Sequence, residues 1–225
     1  MAIRKPCKTY YFSVEGETEN WYLQWLQDII NNCESVHHRV SLKSKVQKDP
    51  LSYVKSVTLM PNETIYHFFD YESSEPVHTD NFKRTIDRMR EAERQKRIRY
   101  KFCYSNFTFD LWIILHKTDC KTSLNHRRQY IEYINQAFAV SYTDMNEYKH
   151  EDNFKSLLSK CTLDDVVEAI NRAKRIDKLH QEHGHTQLTY KHEKYYIDNP
   201  STTVWQSIET VLKKCGYIKT ISRKR

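Results

Sequence analysis

The chain has 225 residues, enough for one domain, or one domain with a sizeable extension, around a full buried core. Thirty-six Lys and Arg against 29 Asp and Glu leave a net charge of +7 with 13% aromatic residues. That balance suits a polyanionic partner better than a membrane, although it also serves plain solubility. No apolar run approaches a membrane span, the N-terminal Met-Ala-Ile-Arg-Lys-Pro lacks a signal peptide's apolar region, and the six scattered cysteines show neither CxxC nor zinc-like spacing. A cytoplasmic protein with reduced thiols is therefore expected.

The apolar, aromatic and β-branched run from Thr9 to Val14 predicts a central strand covered on both faces, and it ends at Glu15-Gly16. Gly16 is one of only three glycines, so either a left-handed turn or the close approach of something bound is expected there. Trp21, Tyr22, Trp25, Leu26, Ile29 and Ile30 follow at helical spacing, completing the first half of a βαβ unit. Ligands of open α/β sheets bind beyond the carboxyl ends of the strands, where Glu15 stands. The plainer reading of Glu15, Glu17 and Glu19 is that they complement a helix dipole. His38 to Val46 predicts a half-buried strand nearer a sheet edge, and Asp49-Pro50 opens a helix expected to reach Met60.

Thr64 to Phe69 is a second buried strand that exits into Asp70-Tyr71-Glu72. If the backbone stays extended, Asp70 and Glu72 point the same way and join Glu15 in a cluster of three carboxylates. Such a cluster repels itself unless protons or a cation neutralise it, and hard oxygen donors favour Mg²⁺ or Mn²⁺. Strand ends are also commonly acidic. A charged helix over residues 81–97 carries Lys83, Arg84 and Arg88, either as a solvated face or as cations for a phosphate backbone. Tyr100 to Tyr104 reads as a third central strand, delivering Asn106 and Asp110 to the same sheet edge before a very apolar helix ending near His116.

The remainder predicts helices: His126 to Phe138, a short one at Phe154 to Leu158, one capped by Thr162 and Asp165, and a last one from Val204 to Lys214. His180, His183, His185 and His192 lie in a polar, Cys-free stretch that reads as an exposed loop rather than a zinc site. The tail from Lys219 to Arg225 is basic. The expected division is an α/β core over residues 1–118 with a mainly helical part over 119–225 packed on it.

Val14-Glu15-Gly16-Glu17-Thr18-Glu19, Phe69-Asp70-Tyr71-Glu72, Ser105-Asn106-Phe107-Thr108-Phe109-Asp110-Leu111-Trp112 with His116, and Asn199-Pro200-Ser201-Thr202-Thr203-Val204 occur in that order. Through them the chain resembles the RloB-like family, which is similar to the Toprim fold of primases, topoisomerases and OLD nucleases. The resemblance implies a mostly parallel Toprim-like sheet, with Glu15 as metal ligand or general acid/base and Asp70 and Glu72 at the Asp-x-Asp metal positions. Three positions depart from the pattern: Glu72 is a longer ligand than Asp, Phe107 replaces the usual Pro, and Asp110 the usual Glu.

The implied activity is nucleic-acid cleavage in bacterial anti-phage or restriction-linked systems, often beside an ATPase partner. On this reading a Mg²⁺-dependent nuclease uses Glu15, Asp70 and Glu72, with Glu19 or Asp110 as further ligands. Asn106 and His116 either orient ligands and substrate or serve strand-end hydrogen bonding and helix termination. The rivals are a non-catalytic regulator binding a nucleotide or an ATPase through the same acidic pocket, and a nucleic-acid-binding protein without chemistry. The choice between DNA and RNA stays open, as does oligomerisation.

Overall fold

The structure, a computed structural model, describes residues 5–120, 124 and 126–219, so of the basic tail only Lys219 lies within the described residues. Strands β1 (Cys7–Val14), β2 (Arg39–Val46), β3 (Thr64–Tyr71) and β4 (Arg99–Asn106) form one sheet in the order β2-β1-β3-β4, every pairing parallel. Helices α1 (Glu17–Asn31), α2 (Pro50–Ser56) and α3 (Pro76–Lys96) supply the crossovers, and α4 (Asp110–Ile114) follows β4. The chain is thus an α/β protein with a central parallel sheet flanked by helices.

Successive side chains of a strand face opposite ways, and β3 shows why its sequence has no polar face. Tyr66 and Phe68 enter one core with Phe12, Val14 and Trp112, while Ile65, Phe69 and Tyr71 enter a second with Phe82, Ile86 and Met89 of α3. His67 is the exception, and it shares a 2.7 Å hydrogen bond with Ser13 of β1. Its burial lowers its pKa to about 4, so it sits neutral in the core.

The first core continues through α5 (Tyr130–Phe138), α6 (Met145–Tyr148), α7 (Glu151–Leu158), α8 (Leu163–Glu182) and α9 (Val204–Cys215). Phe154, Val166, Ile170 and Val211 belong to the same apolar cluster as Phe12, so the later helices share one core with the sheet. Helix α8 opens with the expected capping box: Asp165 Oδ2 accepts the Thr162 N–H at 2.8 Å, and Thr162 Oγ1 accepts the Asp165 N–H at 3.3 Å.

Several elements differ from expectation. Strand β4 is outermost rather than central, and its free side is covered by the segment before α9. Thr202 bridges Ser105, and the Asn106 N–H donates to Ser201 O at 2.8 Å, which closes an edge that would otherwise expose its ladder. Helix α2 stops at Ser56 instead of Met60 because Val57 is already extended, and α3 starts at Pro76, a first-turn proline, rather than at Asn81. The expected histidine loop is only partly a loop. His180 is buried in the last turn of α8, its ring 4.3 Å from that of Tyr196 and its Nε2 donating to Pro200 O at 2.8 Å. Beyond it lies an antiparallel hairpin of β5 (Gln187–Tyr190) and β6 (Glu193–Tyr196). Its turn residues Lys191 and His192 both have positive φ, a conformation that usually selects Asn or Gly. The six cysteines are free thiols, and no helix among the described residues is long and apolar enough to cross a membrane.

Candidate active site

With the strand order β2-β1-β3-β4, the chain leaves β1 and β3 toward opposite sides of the sheet's length, so a crevice opens between their carboxyl ends. Glu15 follows the last residue of β1 and Asp70 is the penultimate residue of β3. The two are tied directly, because the Asp70 backbone N–H donates to Glu15 Oε2 at 3.3 Å.

Gly16 does not supply a left-handed turn: its φ of −144° and ψ of 175° are ordinary extended values. What approaches it closely belongs to the protein. A Cβ at Gly16 would lie 3.0 Å from Glu19 Oε2, which accepts the Thr18 hydroxyl at 2.8 Å. The missing side chain thus leaves room for the first turn of α1 to fold the buried Glu19 carboxylate back over the strand exit.

A fourth acid comes from the other flank. Asp110 opens α4 with no exposed surface, and its Oδ2 accepts Thr108 Oγ1 at 2.7 Å and Lys149 Nζ at 2.9 Å. Its Oδ1 has no hydrogen-bond partner. The preceding loop is held by Phe107, whose φ is +61° and whose N–H donates to Tyr71 O at 2.8 Å. Lys149, just past α6, is a site residue that sequence reasoning missed; a single lysine in a polar stretch carries no local signal.

Burial raises the Glu15 pKa to about 7, with the Asp70 N–H working against the rise and Glu19 adding to it. Burial, then the charges of Glu15 and Glu19, push Asp70 well above the usual carboxylate range, and burial likewise raises Glu19. Burial disfavours the Lys149 charge, yet Asp110, Asp70 and Glu19 hold its pKa above normal. Four carboxyl groups and one ammonium therefore share a poorly solvated space. Glu72 stands apart from this group: it is 46% exposed and pairs with His78 Nε2 at 3.3 Å.

Two clefts meet at Asp70 and Glu72. The smaller, about 290 Å³, runs between the strand exits and α2 and α3, past Glu15, Lys48, Arg84 and Arg88. The larger, about 680 Å³, lies toward α5 and α6, past Phe107, Asp110, Arg128 and Lys149. Among the cations expected to hold substrate, Arg84 lines the smaller cleft with no carboxylate partner among the described residues. Arg88 lines it too but is committed to Asp49, at 2.7 and 3.3 Å, and to Glu91 at 2.8 Å. Lys83 lies over the Tyr190 ring, 5.8 Å from its centroid, and lines neither cleft.

Asn106 and His116 are core residues that line neither cleft. The Asn106 amide donates to Ile197 O and Asp198 O, at 3.3 and 3.0 Å, tying down the segment that covers β4. His116 sits among the rings of Tyr22, Trp25 and Trp112, bonded to Tyr22 Oη at 3.2 Å and Trp112 O at 2.9 Å, and burial lowers its pKa to about 4.

The model of the RloB-like protein family matches residues 10–211. The chain belongs to the RloB-like family. No curated protein and no solved structure gives a significant match. The matched span of this RloB-like protein includes Glu15, Glu19, Asp70, Glu72, Asp110 and Lys149. Among its described residues, no three His, Cys, Asp or Glu side chains stand close enough together to hold a metal ion as they are. The donor set of the RloB-like protein nevertheless has the chemistry of a hard-cation site. Its carboxylates are crowded beyond what their own charge favours, and one buried oxygen, Asp110 Oδ1, is unpartnered.

Proposed function

We propose that this RloB-like protein is a metal-dependent phosphodiester hydrolase, a nuclease with a Toprim-like site acting in a bacterial anti-phage or restriction-linked system. The observation that carries the reading is the crowding of Glu15, Glu19, Asp70 and Asp110 at the carboxyl ends of β1 and β3, three of them with raised pKa values. The parallel four-stranded sheet, with a glutamate after β1 and Asp-x-Glu across the end of β3, supports the Toprim comparison.

Glu15 and Asp70 would hold Mg²⁺ or Mn²⁺, with Glu19 and Asp110 as further oxygens and Glu72 at the mouth. When bound, such an ion polarises the phosphate and makes hydroxide accessible near neutral pH. The protein's own groups do the rest. The Asp70 N–H orients Glu15, Lys149 pairs with Asp110, and Lys48 and Arg84 hold the phosphate backbone along the smaller cleft. The test is purified protein with Mg²⁺ or Mn²⁺ against plasmid, single-stranded DNA and tRNA, beside Glu15→Gln and Asp70→Asn. Absence of cleavage by the native protein, or equal cleavage by both variants, ends the reading.

One observation favours a second reading. Lys149 already offsets part of the cluster's charge, and no ready-made group of metal ligands exists among the described residues. A non-catalytic regulator that binds a nucleotide or an ATPase partner in this pocket needs no more than that. Calorimetry with Mg²⁺ and capture of the ATPase partner, each compared with the cleavage assay, separate the two.

A further inference from the structure

We propose that the larger cleft is a pocket for an unstacked nucleobase, which makes the preferred substrate a single-stranded nucleic acid. The scissile phosphate is placed at the acidic rim by the hydrolase reading, on which the pocket's role therefore rests. Asp70 and Glu72 line both clefts, so a strand whose phosphates follow Lys48 and Arg84 delivers its next nucleotide into the larger space.

That space suits a base chemically. Its volume of about 680 Å³ falls within the usual size of small-ligand sites. Phe107, Ile131 and Met145 line it and are partly buried against the core, offering apolar surface to the face of a ring. Asn146 lines it with a side-chain amide that makes no hydrogen bond within the described residues, a donor and acceptor suited to a base edge. Arg128 lines the cleft without a carboxylate partner among the described residues, and so is available to a flanking phosphate.

Phe107 reinforces the point. A φ of +61° is costly for a phenylalanine. The chain therefore presents an aromatic side chain at the cleft wall from a left-handed backbone position. A duplex keeps its bases paired and stacked, so only an unpaired nucleotide reaches such a pocket without the cost of extrusion.

The experiment titrates AMP, CMP, GMP and UMP into the full chain with EDTA present, by calorimetry, for the native protein, Asn146→Ala and Ile131→Trp. Asn146 is exposed and bears no side-chain bond, so Asn146→Ala leaves the fold intact, while Ile131→Trp fills the cleft. Saturable binding of at least one nucleotide, weakened about tenfold or more in both variants, is expected; one lost bond to a buried partner is worth about that factor. No binding, or unchanged binding in both variants, overturns the pocket. A cleavage arm compares single strand and duplex of one sequence in Mg²⁺. Equal rates on both overturn the pocket while the hydrolase reading stands; no cleavage, with variant-sensitive nucleotide binding, removes the hydrolase and keeps the pocket.

Discussion

Lys149 Nζ stands 2.9 Å from Asp110 Oδ2, with the carboxylate wholly buried and the lysine side chain 38% exposed. The pair joins the segment between α6 and α7 to the loop after β4, and it puts a cation inside a group of acids that the parallel sheet gathers. Burial disfavours the Lys149 charge, and the surrounding acids, Asp110 first, more than offset that cost. Any divalent ion entering the cluster meets a site whose charge is already partly offset.

Lys149→Met should therefore destabilise the protein at pH 8 by an amount between the ~1 kcal/mol of an exposed ion pair and the ~3–5 kcal/mol of a broken buried one. The loss should shrink at pH 5, where Glu15, Glu19 and Asp70, with their raised pKa values, carry less charge. Urea denaturation at the two pH values measures both. A loss of equal size at each would show that Lys149 compensates Asp110 alone.

One part of the pH dependence of the metal-free protein follows from Glu15, whose pKa rises from 4.5 to about 7 on folding. Glu15's own contribution is fully present below about pH 4.5 and is lost as pH climbs toward and past 7. Buried His67 and His116, with pKa values lowered to about 4, pull the other way below about pH 6.5, so the Glu15 part is read as the difference between the native chain and Glu15→Gln. A drop of ~1–3 kcal/mol is expected from this group, at roughly 2–4 °C in Tm per kcal/mol for a chain of this size. Mg²⁺ should raise Tm at pH 8 and leave it nearly unchanged at pH 5. Scanning calorimetry in EDTA and in MgCl₂ checks both parts, and a Tm insensitive to Mg²⁺ at pH 8 counts against a cation in the cluster.

Asp70→Asn removes a charge held among Glu15, Glu19 and Asp110 while keeping shape and hydrogen-bonding capacity. The metal-free variant should be more stable than the native chain at pH 8, by ~1 kcal/mol or more, and should lose metal-dependent cleavage. Paired unfolding and cleavage measurements test the trade. A variant that is less stable, or that still cuts, would contradict the role assigned to the acid.

Asn106→Ala tests a structural role at a position whose place in the sequence invited a functional one. It deprives Ile197 O and Asp198 O of their donor and should cost ~1–3 kcal/mol. Amide exchange should accelerate across residues 197–203, with Mg²⁺ affinity unchanged. A large fall in metal affinity without faster exchange would return Asn106 to the site.

Unlike α6, the four strands of the sheet, the longer helices, the acids at the exits of β1 and β3, and the capping box of α8 were readable from the chain. Each rests on local periodicity or on residues within one turn of each other, and burial on a pleated or helical surface imposes that period directly. The hairpin β5–β6 escaped because its turn is Lys191-His192, whose positive φ values lack the usual Asn or Gly marker. Strand β4 read as central because the segment at 201–203 that covers it lies almost a hundred residues away in the chain.

By itself, then, the sequence determined an α/β sheet with carboxylates delivered to one rim, since the alternation of apolar residues dictates which face a strand buries and where it stops. Only the tertiary structure decided which acids share that rim. Glu19 folds back past Gly16, Asp110 arrives beside Lys149, and Glu72 turns out to His78. Such meetings depend on how separately formed helices pack over the sheet, and no local pattern encodes the distance between side chains that the chain brings together from so far apart.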